Sequence, residues 1–118
     1  MLGSESNDSD PIFWYAGPMS GFNSFADFYP YYLSEHQNLT CRRLHFAGAW
    51  CALTFAGLAI GTLNAWWLVG ALLSGYAFAW VGHFRYEHNK PATFRHPFYS
   101  FAGDWRMFVD ILRGKVAI

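Results

Sequence analysis

The sequence predicts an all-α membrane protein: a two-helix transmembrane hairpin flanked by interfacial amphipathic helices. Three observations lead there. Leu44 to Phe84 runs without one Asp, Glu, Lys or Arg. A Thr62-Leu63-Asn64 break divides that run into two apolar segments, each close to the ~20 residues that cross a bilayer. The composition is 53% hydrophobic and only 14% charged, against about 25% charged in ordinary soluble domains. A soluble domain around a buried hairpin is the alternative, but 118 residues leave too little chain to cover both segments on every side.

The length suits one domain. Residues 22–118 read as a single helical membrane domain with spans at about 45–62 and 65–84, preceded by a polar, then aromatic tail over 1–21. Met1 to Asp10 is small and polar, a composition that predicts disorder. It has no apolar core of a signal peptide, so no cleavable leader is expected. Phe13, Trp14 and Tyr15, followed by Gly17 and Pro18, suit the headgroup level of a membrane.

Ser24 to about Gln37 predicts a helix. Ser24 with Asp27 resembles a capping box. Pro30 then requires the helix to begin near Asp27 or to kink, because proline is tolerated in a first turn but not deep inside a helix. Phe25, Phe28, Tyr29 and Tyr32 share a face, as in a helix lying in the interface plane. Cys41-Arg42-Arg43 leads into the first span, which runs to about Gly61. Its Gly57-x-x-x-Gly61 spacing permits close helix approach and a homodimer. The second span runs from Ala65 to about Phe84, with a further turn or two through Glu87. Trp66 and Trp67 anchor it at the far interface. Pro91 ends it, and Pro91 to Ser100 reads as a loop with Pro97 as a second breaker. Gly103-Asp104 opens a last helix to about Leu112, a second interfacial element.

Charge sets orientation and excludes one class of partner. The net charge is +0, so there is no nucleic-acid footprint. All eight Lys and Arg residues flank the hairpin on its open side. That bias predicts an integral membrane protein with both termini cytoplasmic, where the Asn38-Leu39-Thr40 sequon meets no glycosylation enzyme. Cys41 and Cys51 form no CxxC pair and read as ordinary thiols.

All five histidines, His36, His45, His83, His88 and His96, lie in or beside the predicted cytoplasmic layer. The hairpin returns the chain to its starting side and sets His45 beside His83. His36 ends the preceding helix, and a turn folds it over His45. His83 and Glu87 stand at i and i+4, on one helix face. Three imidazoles and a carboxylate can therefore converge, as in non-haem Fe(II) sites with open positions for substrate and O₂. Zinc accepts three histidines equally. Blander readings stand beside these. A boundary histidine also serves as a snorkelling or hydrogen-bonded residue. Glu87 could pair with Arg85 or Lys90, support a ligand histidine, or act in catalysis. His96 could be a further ligand, a proton relay or a headgroup contact, and His88 reads as solvent-facing. Arg42 and Arg43 enforce topology or bind a lipid carboxylate or phosphate.

Two stretches carry a resemblance. FYPYYLSEHQNLTCRRLH, from Phe28 to His45, and FAWVGHFRYEHNKPA, from Phe78 to Ala92, are similar to the family of the yeast protein that metabolises phytosphingosine to odd-numbered fatty acids. The matching positions are Tyr32, His36, Asn38, His45, Gly82-His83, Glu87 and Pro91-Ala92. The closing HPFYSFAGDWRMFVDIL resembles the short bacterial branch, whose place would be the inner membrane. The resemblance covers nearly all of Asp27 to Leu112. It implies an Fe(II)-dependent dioxygenase that shortens 2-hydroxy fatty acids by one carbon through α-oxidation. O₂ and the fatty acid, or a membrane lipid carrying it, would be the partners. It implies iron on His36, His45 and His83. Two other classes remain open: a non-catalytic small membrane or lipid-binding protein, and a zinc-dependent lipid hydrolase.

Overall fold

The computed structural model describes residues 21–118, so the expectations for the tail before them lie outside the described residues. Among the described residues there are four α-helices: α1 (Phe25–Ser34), α2 (Leu39–Thr62), α3 (Trp67–Val81) and α4 (Pro97–Leu112). A π-helical turn, Gly82–Glu87, continues α3, and a 3₁₀ turn, Ala92–Phe94, precedes α4. No strand occurs among the described residues.

α2 and α3 form the hairpin. Leu63 ends α2 at φ 55, in the left-handed region that reverses a helix end. The side-chain oxygen of Asn64 then accepts the Trp66 N–H at 3.0 Å. The two arms, of 24 and 21 residues, are long and apolar enough to cross a membrane, and only 17% of each apolar stretch is buried. The core helix of a soluble protein would be covered on most sides, so that low share is consistent with a membrane hairpin.

Helix starts fall where local chemistry places them. Asn38 caps α2, its side-chain oxygen accepting the Thr40 N–H at 2.8 Å and the Cys41 N–H at 3.2 Å. The helix therefore begins before Arg42-Arg43. The Ser24 hydroxyl accepts the Asp27 N–H at 3.1 Å, and α1 begins at Phe25 rather than near Asp27. It then runs through Pro30. Pro30 and Ala26 are both exposed, so the Ala26 carbonyl that loses its N–H partner faces outward. α4 begins at Pro97, well before Gly103, because proline suits the first helical position, where no N–H is needed.

The two helices read as interfacial elements pack on each other across the open end of the hairpin. Phe28 and Tyr32 of α1 meet Met107 and Ile111 of α4 in one buried cluster. The Tyr29 hydroxyl donates to Asp110 at 2.7 Å, and Arg106 binds the same carboxylate at 3.2 Å. A Cβ on Gly103 would stand 2.8 Å from the Tyr32 ring, so only glycine lets the helices come this close. The hairpin arms meet closely at two glycines: a Cβ on Gly48 would lie 2.9 Å from the Phe78 Cβ, and one on Gly82 would lie 2.9 Å from the Cys41 sulfur. Gly57 and Gly61 have nothing within 4 Å of an added Cβ; their spacing does not build the hairpin.

Candidate metal centre

His36, His45 and His83 converge. His36 lies just beyond α1, His45 two turns into α2, and His83 on the π-helical turn after α3. All three are buried, at 2%, 8% and 2% exposure. Their ring centroids stand 4.6, 4.5 and 5.0 Å apart, and one ligand atom from each lies within 4.8 Å of the others. The Cys41 contact at Gly82 explains part of this, since it draws together the segments that carry His45 and His83.

Hydrogen bonds fix which nitrogen faces inward. The His36 Nδ1 lies 2.6 Å from the Tyr32 carbonyl, the His45 Nδ1 2.9 Å from the Cys41 carbonyl, and the His83 Nδ1 2.7 Å from the Asn89 side-chain oxygen. Each partner only accepts, so each Nδ1 must carry the proton and donate. The Nε2 lone pairs are then free. Those of His36 and His45 face each other at 3.2 Å, an arrangement that repels unless a cation sits between them. Metal-bound histidines are held in this way, with the second ring nitrogen donating to an oxygen. The donor set therefore fits a divalent metal. Burial, together with the neighbouring His45 and His83, pushes His36 well below the usual imidazole range, which keeps it neutral and able to ligate.

The other candidate residues separate. Glu87 accepts the backbone N–H of Asn38, so its carboxylate braces the turn between α1 and α2. His96 stacks edge-on against Phe22 and Phe28, with ring centroids at 5.2 and 5.5 Å. Neither belongs to the convergent group. His88 is exposed, as expected.

Two residues at the centre went unread in the sequence. Asn89 orients His83 and also donates to the Glu35 carbonyl at 3.1 Å, tying the π-helical turn to the end of α1. Asp104, on α4, accepts the Tyr32 hydroxyl at 2.5 Å, and the same oxygen stands 4.0 Å from the His45 Nε2. Burial pushes its carboxyl up to about 7, with the Tyr32 hydroxyl opposing. Its side chain is 28% exposed, and it lines the cavity beside the histidines. An acidic residue on an aromatic-rich helix face was the available signal for Asp104.

Fold and centre together define an all-helical protein with a membrane-length hairpin and a buried three-histidine site at its open end. The chain belongs to the Mpo1-like family, described as 2-hydroxy-palmitic acid dioxygenase Mpo1-like, which matches residues 22–116. No curated protein and no solved structure gives a significant match.

Proposed function

We propose that this protein is an Fe(II)-dependent dioxygenase of 2-hydroxy fatty acids, working at the cytoplasmic face of a membrane. The observation that carries the proposal is the set of three inward Nε2 atoms, each fixed by a donated Nδ1–H. His36, His45 and His83 would hold the iron, which when bound supplies Lewis acidity and activates O₂. In the overall reaction, a 2-hydroxy acid and O₂ give the acid one carbon shorter, CO₂ and water. The C1–C2 bond breaks, and the four electrons lost by the substrate reduce O₂.

The chain's own residues supply position and exclusion. Tyr32 and Cys41 hold two imidazoles through their carbonyls, and Asn89 holds the third. Asp104 faces the centre and takes over the carboxylate role expected of Glu87, orienting the substrate hydroxyl or accepting its proton. The Tyr32 hydroxyl fixes Asp104 in turn. The aromatic layer of α1 and α4 keeps bulk water from the histidines.

Purified protein should contain about one iron per chain, and His45→Ala or His83→Ala should abolish it. Product analysis with 2-hydroxyhexadecanoate under O₂ should show pentadecanoate, and anaerobic incubation should show none. Stoichiometric zinc with O₂-independent turnover would favour the hydrolase instead.

A further inference from the structure

Each arm of the hairpin carries a line of small residues that ends in a metal-type histidine. On α2, His45, Ala49, Ala52 and Ala56 recur at intervals of four, three and four, which places them on one helix face. Leading along α3 into the π-helical turn, Ala71, Gly75, Ala79 and His83 recur at intervals of four. Larger side chains would interdigitate here and fill the space between the arms. Alanine and glycine leave a cavity of about 170 Å³, which Phe101 and Trp105 of α4 close on a third side.

The cavity has a polar end and an apolar length. His45 and Asp104, both in its lining, stand 4.0 Å apart at the centre. From there to Ala56 the walls are almost wholly apolar. That distance is about 16 Å at ~1.5 Å rise per residue, the reach of roughly a dozen extended methylenes. Leu53, Leu72 and Phe101 stand at its edges and are 41%, 53% and 47% exposed, so the groove opens sideways between them. A helix from a second copy, ~10 Å across with its side chains, does not fit so narrow a space.

We propose that this groove is the acyl-chain site, admitting a single aliphatic tail sideways from the hydrocarbon layer. The tail lies between the arms with its methyl end near Ala56, and the carboxylate and hydroxyl of the same molecule reach the histidines. Ala52 and Ala56 then set the chain length that fits. This assignment rests on the reading of the protein as a 2-hydroxy fatty acid dioxygenase, and it adds where the chain lies and what measures it.

Two measurements test it. In the iron-loaded protein, Ala52→Phe and Ala56→Phe should keep the iron stoichiometry. Both should lower the ratio of kcat/KM for 2-hydroxyoctadecanoate over 2-hydroxydecanoate by about tenfold or more, Ala52→Phe more steeply. An unchanged ratio in both variants, with iron retained, overturns the proposal. The second measurement needs neither turnover nor a variant. A fatty acid bearing a diazirine at its methyl end, photolysed with the wild-type protein in detergent or vesicles, should label the Leu53, Ala56 and Leu72 region. Labelling confined to the outer faces of α2 and α3 overturns the groove whatever the enzyme's activity. Labelling in the groove without any O₂-dependent product upholds the groove and removes the dioxygenase reading.

Discussion

At the scale of single residues, Asn89 is the most informative side chain, because among the described residues it orients His83 and ties that turn to Glu35. Asn89→Ala should weaken metal binding by about 10–100-fold while leaving the helices intact, as read by chelator competition and circular dichroism. Asn89→Asp keeps an acceptor at that point and should recover much of the affinity. Equal affinity in all three proteins would remove Asn89 from the centre. Asp104 carries a pH signature. Its carboxyl is pushed up to about 7 from an ordinary 3.8. Between those values the native state holds a proton that the unfolded chain has released. The contribution of Asp104 to the stability of the metal-free protein therefore falls as pH rises through that interval, and levels off above it. Thermal unfolding of wild type and Asp104→Asn between about pH 4 and pH 8 measures this; the difference between them should carry that slope.

At the scale of elements, the close approach at Gly82 is the one that lies beside the histidines. Gly82→Ala places a Cβ 2.9 Å from the Cys41 sulfur and 3.2 Å from its Cα. The backbone must yield, and overpacking of this kind costs ~1–3 kcal/mol. The arms should part where His45 and His83 meet, so iron affinity should drop along with the melting temperature. An alanine variant that melts early but binds iron as wild type does would separate the contact from the centre. The elements also mark how far the sequence was legible. The hairpin was readable because apolar runs and a charge-free stretch are local signals, and the three histidines followed from its geometry. The start of α4 was misread because Pro97 serves equally as a breaker and as a first helical residue. Asp104 was invisible as a site residue because its partner Tyr32 lies 72 positions away, a pairing created only when α1 folds across α4. For Glu87, i,i+4 spacing puts two side chains on one face without saying which neighbour each one finds; its carboxylate accepts the Asn38 N–H.

At the scale of the whole molecule, the length and the surface point the same way. The fold extends 55 Å along its long axis and about 26 by 25 Å across. Ile60, Leu63 and Trp66 at the hairpin tip are 76%, 92% and 78% exposed, a surface suited to hydrocarbon or its boundary rather than to water. The protein should stay with the membrane fraction through an alkaline wash and leave it only in detergent. Probes attached at residue 21 and at the C-terminus should be modified from the same side of sealed vesicles, since a single hairpin returns the chain to its origin. Release by alkali, or modification from opposite sides, would overturn the spanning topology.

Three neutral imidazoles have one further consequence, which concerns electroneutrality. Such a donor set brings no negative charge to a divalent ion, and Asp104 can offset at most one of the two positive charges. In surroundings this poor in water, the remainder favours an anion strongly. The carboxylate of a fatty acid would meet that need before its tail is measured by the groove. On the proposed reading, head-group charge would govern capture, and tail length would govern residence. Short carboxylates and small inorganic anions should therefore compete with substrate at the centre, while fatty alcohols of matching length, uncharged, should enter poorly.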